Sequence, residues 1–210
     1  MHQAPDLALD APAARTRRAR SGAKRARILE AARACFGEMG FAGATVEAIA
    51  LRAGVSNGLL YQFFRSKDHL FEVVLQEVIA DWVHALAPDR DDEPASKTLA
   101  DMFRRSAEFC RNHPLLPALI REDTALQLSR IQHAARDRVQ PHRDAVACLL
   151  RRGVASAEFK ADLDIASVAD VICQLQSDYS GRAYRRDPDY PDSPELIEAA
   201  IRLVLDAVKR

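Results

Sequence analysis

The sequence predicts an all-α fold, with a three-helix, helix-turn-helix domain at the N-terminus and a larger helical domain behind it, about nine helices in all. Three observations carry this. Ala, Leu and Arg dominate while aromatics make up only 6% of the chain, a bias toward helix over sheet. Apolar residues recur at spacings of three and four, and no alternating run sits between hairpin turns. Gly or Pro punctuates these stretches where a helix has to stop. A chain of 210 residues with 48% hydrophobic content has enough apolar surface for one or two packed domains.

Residues 1–22 read as a flexible basic arm: Ala, Pro and Asp patches, then RTRRARSGAKRAR, with no apolar periodicity before Ile28. The first helix is expected at 23–39, with Ile28, Leu29, Ala32, Phe36 and Met39 on one stripe. Gly40 ends it, and Phe41 folds back on its last turn. Thr45 caps a short second helix at 46–53, and Gly54 closes it. A third helix covers 57–63, which completes a domain of residues 23–66. Ser66 caps a long fourth helix at 67–86, carrying Phe71, Leu75, Val78, Trp82 and Leu86. Pro88 and PDRDDEP then form a loop. The second domain, 67–210, continues with a helix from 95 to His113-Pro114 and the short piece LLPALI. A pattern at 123–152 follows, which Pro141 should kink or split and Gly153 should end. Two helices finish the chain, at 165–183 behind Asp164 and at 194–209 behind Ser193 with Pro194 in its first turn.

Charge and composition narrow the function. Residues 15–67 hold eleven Lys and Arg against three Glu, an excess of eight positive charges in a chain of zero net charge. A basic head on an acidic body suits a polyanion partner. Cys35, Cys110, Cys148 and Cys173 lie far apart in apolar patterns, so buried thiols are expected in place of a disulfide framework or zinc site. No metal or cofactor is implied, and no apolar run is long enough for a membrane span. The N-terminus does not read as a signal peptide, so the expected compartment is the cytoplasm. P-loop, nucleophile-elbow, HExxH and dinucleotide motifs are lacking, and no enzyme is expected.

The informative stretch is TVEAIALRAGVSNGLLYQFFRSK, residues 45–67. Two short helices crossing steeply need a small residue at their contact, here Ala50, and a turn residue tolerant of positive φ, here Gly54. They also need apolar residues after the turn and under the second helix, supplied by Val55 and Leu60. Leu60 and Phe64 then point inward at i, i+4, which turns Asn57, Tyr61 and Gln62 outward, with Ser56 at the helix start. Gln and Asn can read adenine edges in a major groove, and Ser can reach a phosphate or a base. Gly58 allows close approach of the backbone, while Thr45 and Lys67 stand at flanking helix starts suited to phosphate contact. The arm can enter a minor groove or track phosphates.

From Arg27 to Val74 the chain resembles the N-terminal domain of the TetR family. The resemblance is carried by Ile28 to Ala32, Phe36, Gly40-Phe41, Thr45-Val46, Ile49-Ala50, Ala53 to Ser56, Gly58, Leu60-Tyr61, Phe63-Phe64, Lys67-Asp68 and Leu70-Phe71. It implies a dimeric repressor released from operator DNA by a small molecule. It also implies DNA contact at Thr45, Ser56, Asn57, Gly58, Tyr61, Gln62, Phe63 and Lys67. Asn57 stands where Lys, Arg or another polar group is frequent in the family, and Leu59 where a polar or small residue is common, which shifts ionic contact toward the arm.

In the second domain Trp82, Phe103, Phe109, Leu116, His133, Gln174 and Tyr179 are candidate ligand contacts, an apolar set with a few polar groups. His133 and His142 are placed on polar faces. The last helix is apolar on two adjacent sides, through Leu196, Ala200, Leu203 and Ala207 and through Ile197, Ile201, Val204 and Val208. Beside the seam Ile165, Val168, Ile172, Leu175 and Tyr179, that width predicts a homodimer through the last two helices. The rival reading is a helical scaffold that binds nucleic acid without sequence preference.

Overall fold

The computed structural model describes residues 11–87, 92–113, 115, 139–182 and 194–210, with backbone alone described at 11–15 and 177–182. Among the described residues there are eight helices and no strand: α1 Ala11–Gly43, α2 Val46–Ala53, α3 Asn57–Phe63, α4 Lys67–Ala85, α5 Ala95–Asn112, α6 Gln140–Ala155, α7 Ile165–Arg182 and α8 Pro194–Val208. The all-α expectation holds. The ninth expected helical region, in LLPALI after Leu115 and at 123–138, lies outside the described residues, as do the loop 88–91 and the Ser193 cap.

Two apolar clusters form. In the first, Ile28, Ala32 and Phe36 of α1 meet Ile49 and Ala50 of α2, Leu60 of α3, and Phe71, Val74 and Val78 of α4. Phe41 folds back as expected, its ring 6.0 Å from Phe36 and 4.7 Å from Phe71. In the second, Leu99, Met102 and Phe103 of α5 meet Val146 and Leu150 of α6, Phe159, Ile172 of α7, and Ile201 and Val204 of α8.

The start of α1 departs from expectation. Helix begins at Ala11, so residues 11–22 are helical and the arm is not a loose tail over that length. Ala and Arg are strong helix formers, and this propensity acts where no apolar stripe exists to show it. Gly40 interrupts α1 at φ 73°, ψ 177°, and a bent turn continues to Gly43. This Gly-only conformation explains the break.

The third quarter also differs. Of the two outcomes expected at Pro141, a kink or a split, the start of α6 at Gln140 fits the split: the proline stands in the first turn, where its missing N–H costs nothing. Gly153 does not end that helix. It lies inside α6 under the ring of Phe159, which is 1% exposed, and a Cβ there would overlap the ring. The segment that follows ties three helices together. The Glu158 carboxylate accepts from Ala95 N, Ser96 N and Ser96 Oγ at 3.0, 3.1 and 3.0 Å, capping α5. Burial opposes its charge, yet the Ser96 and Ala95 donors hold the carboxyl below its ordinary range. Lys160 donates through N to Val208 O and through Nζ to Ala207 O, closing α8 at 2.9 and 2.7 Å. Asp164 caps α7 as expected, accepting from Ser167 N and Oγ at 3.3 and 2.6 Å.

Gly153→Ala is therefore expected to lower stability by about 1–3 kcal/mol through overpacking against Phe159. Denaturant unfolding measures this, and an unchanged midpoint would refute the close packing.

Candidate nucleic-acid interface

The helix-turn-helix is built by caps at every junction. Thr45 Oγ1 accepts from Ala48 N at 3.1 Å and starts α2. Gly54 takes the left-handed conformation, φ 63°, ψ 42°, while its N–H donates to Leu51 O and Val55 N donates to Ala50 O, at 3.1 and 3.0 Å. This pair of bonds closes α2 and needs a residue without a Cβ penalty. Ser56 Oγ accepts from Leu59 N at 3.2 Å and starts α3. Ser66 Oγ accepts from His69 N at 3.1 Å and starts α4.

Phase along α3 falls where the sequence places it. Leu60 is 0% exposed and Phe64 1% exposed, while Tyr61 is 51% exposed. Ser56, Asn57, Gly58 and Gln62 are exposed with it, and Thr45 is exposed at the start of α2. A Cβ on Gly58 would meet nothing within 4 Å, so the backbone is open on that side. Phe63 is half-buried, with its ring 6.4 Å from Phe64.

Lys67 has an internal role that the spacing did not show. Its Nζ donates to Phe41 O at 2.7 Å and Ala44 O at 3.0 Å, and lies 4.4 Å from the centre of the Phe41 ring. Two of its three donors thus hold the broken end of α1 to the start of α4.

Other cations are likewise engaged within the chain. The Arg27 guanidinium donates to Ala53 O and, at 3.3 Å, to Gly54 O, on the negative end of the α2 dipole. Arg25 lies 5.6 Å above the Phe64 ring and 3.7 Å from Glu77. Arg33 pairs with Asp81 at 2.9 Å, and Arg52 with Glu38 at 2.6 Å. Arg17, Arg18, Arg20 and Lys24 are exposed, and no ion pair among the described residues involves them.

From α4 onward the candidate ligand residues separate. Phe103 is 2% exposed in the second cluster. Phe109 stacks on His113 at 5.2 Å and lines a cavity of about 420 Å³ with Ala85, Arg105, Glu108, Asn112 and His113. Gln174 is exposed on α7, so it does not face the interior. Leu116, His133 and the side chain of Tyr179 lie outside the described residues. His142 was expected on a polar face, but it is 3% exposed.

Around His142 four helices each contribute one polar group. Trp82 Nε1 of α4 donates to Ser106 Oγ of α5 at 3.0 Å, and the indole meets the His142 ring edge-on at 5.3 Å. His142 Nε2 of α6 bonds Gln176 Oε1 of α7 at 2.7 Å. Gln176 is 1% exposed, and its Nε2 is buried without a partner. Burial pushes the His142 imidazole below its ordinary pKa, against the pull of Gln176. The signal for this cluster was Gln176 itself, a polar residue on the Ala169–Ile172 stripe.

The description "Bacterial regulatory proteins, tetR family" matches residues 28–74. Over 146 residues, 68% of this chain and 72% of the relative, the chain is 31% identical to the HTH-type transcriptional repressor KstR2 of Mycobacterium tuberculosis. The solved structure of the ketosteroid transcriptional regulator KstR2 of that organism aligns with a TM-score of 0.58 at 26% identity, over 89% of this chain and 95% of that one. The regulator FadR from Bacillus subtilis in complex with stearoyl-CoA shares the fold, with a TM-score of 0.62 at 20% identity over 86% and 95% of the two chains. A capped left-handed turn carrying an outward-facing α3 defines a helix-turn-helix DNA-binding protein. The chain belongs to the TetR family and is a DNA-binding transcriptional regulator.

Lys67→Met removes two charge-assisted hydrogen bonds and is expected to lower stability by about 1–3 kcal/mol in the absence of DNA. Urea denaturation checks this, and a variant as stable as the parent would show that the pin is idle.

Proposed function

We propose that the chain is a homodimeric repressor whose α3 reads an operator half-site in the major groove and whose second domain binds a small molecule that releases it. The observation that carries this reading is the phase of α3: Leu60 and Phe64 are sealed in the core, while Tyr61 and the Asn57 and Gln62 positions face out. Asn57 and Gln62 supply base-edge hydrogen bonds, Tyr61 an aromatic contact, and Ser56 and Thr45 hydroxyls near phosphates. Gly58 admits the backbone rail beside them. Phe63, half-buried, packs α3 on its domain, and Lys67 has one remaining donor to offer the backbone after its two internal bonds.

Dimerisation is supported by apolar side chains left exposed on the last two helices. Val171 of α7 is 58% exposed, and Leu196 and Leu203 of α8 are 37% and 64% exposed, seven residues apart on one face. The adjacent face of α8, through Ile197, Ile201, Val204 and Val208, is buried within the chain. A twofold interface of α7 and α8 with their copies would cover the exposed row and set two α3 helices about 34–36 Å apart.

The ligand reading rests on the buried polar group at Trp82, Ser106, His142 and Gln176, set among apolar side chains beside α4. It suits a mostly apolar molecule with a hydrogen-bonding oxygen. The relative whose structure holds stearoyl-CoA gives a comparable case of an apolar chain with polar groups. Movement of α4 on binding would alter half-site spacing, with a coupling of about 1–3 kcal/mol.

Gln62→Ala is expected to weaken binding to DNA from upstream of the protein's own gene by about 1–3 kcal/mol, with binding to a scrambled duplex little changed. Fluorescence anisotropy measures both. Equal retention of the two duplexes by the parent protein would instead favour a non-specific scaffold. Separately, Leu203→Glu should convert the dimer to a monomer in sedimentation at micromolar concentration, with operator affinity falling alongside. A parent protein that sediments as a monomer refutes the dimer.

A further inference from the structure

We propose that the helical extension of α1 ahead of Ile28 lies along the phosphate backbone of duplex DNA flanking the half-site, acting as a rigid basic strut. This rests on the assignment of α3 as the reading helix. Residues 11–29 carry seven Lys and Arg and no acid. Every residue from Thr16 to Arg27 is exposed, and a Cβ on Gly22 would meet nothing within 4 Å. The extension is therefore open to solvent ahead of its root at Arg25 and Arg27.

Its root fixes where it points. Arg27 grips the carbonyls of Ala53 and Gly54 at the turn, and Arg25 covers Phe64 at the end of α3. The extension thus leaves the domain between the two ends of the reading helix. Helical phase continues both lines outward: Lys24 and Arg20 stand three and seven residues before Arg27, and Arg18 seven before Arg25. Arg17 lies eleven before Ile28, in line with the face that α1 turns to the core further on. The face that buries apolar groups inside the domain carries cations beyond it. From Ala11 to Lys24 the helix covers about 21 Å at about 1.5 Å per residue. Phosphates of one strand recur about every 3.4 Å of axis, so this length parallels about six base pairs.

Energetics favour a polyanion as the occupant. Arg17 and Arg20, Arg20 and Lys24, and Lys24 and Arg27 are like charges three or four residues apart, with no acid on the extension to separate them. Such pairs destabilise a helix. Phosphates along the face remove that repulsion, so binding and helix stability reinforce each other.

Two full-length variants test the strut against DNA from upstream of the protein's own gene and a scrambled duplex, between about 50 and 200 mM salt. The first, Arg17→Ala with Arg18→Ala, Arg20→Ala and Lys24→Ala, removes charge. The second, Ser21→Pro with Gly22→Pro, keeps every charge and breaks the helix. Each lost phosphate contact should lower the slope of log affinity against log salt by about 0.9, up to about 3.6 for the first variant. Both variants should shorten the hydroxyl-radical footprint at its outer edges while still preferring the upstream DNA, because α3 is untouched. An unchanged slope in the first variant overturns the proposal. A full slope and footprint in the second also overturns it, in favour of a flexible arm. A parent protein that does not prefer upstream over scrambled DNA defeats the reading of α3, while the slopes still decide whether the extension touches phosphates.

Discussion

Helix α4 is the constraint on which the molecule depends. The three helices before it enclose too little apolar volume to be stable alone, so they borrow Phe71, Val74 and Val78 from the first half of α4. The aromatic contact of Phe36, Phe41 and Phe71, with the first and last rings 4.9 Å apart and edge-on, is the centre of that shared core. The far half of the same helix carries Trp82 to Ser106 of α5 and His142 of α6. The same helix is thus packed in the first cluster at one end and hydrogen-bonded to α5 at the other.

The N-terminal charges divide by location. Within the domain, Arg25, Arg27, Arg33, Arg52 and Lys67 stitch α1 to α2, α3 and α4 through acids, carbonyls and rings. Exposed pairs such as Arg52 with Glu38 contribute little to stability, because water already solvates both partners. The Lys67 and Arg27 contacts differ, since each places a cation on backbone carbonyls at a helix end, where the dipole and the acceptor both favour it. The excess positive charge that reaches solvent is therefore concentrated ahead of Ile28 and is sparse around α3. Asn57 and Leu59, standing where basic or polar residues are common in the family, agree with that distribution.

Local chemistry was legible wherever one residue type settles one conformation. Thr45, Ser56, Ser66 and Asp164 cap helix starts through their side chains, and Gly54 closes α2 in the left-handed conformation that suits it. Legibility failed where two signals competed. The extension has helix propensity without an apolar stripe, so a reading by periodicity passed over it. Pro141 allows a kink or a start, and only the chain before it decides which. Gly153 resembles a helix stop, but the Phe159 ring six residues later occupies the space a side chain would need.

The sequence alone determined the helix-turn-helix, its caps, and which of Leu60, Tyr61, Gln62 and Phe64 face inward or outward. Those features depend on backbone stereochemistry and a period of 3.6 residues, both of which act within one or two turns. Only the tertiary structure decided that Lys67 binds the Phe41 and Ala44 carbonyls, that His142 is buried against Gln176, and that Gln174 is turned outward. Each of those outcomes depends on a partner more than twenty residues away or on how whole helices are rotated against each other, and neither is encoded in local spacing.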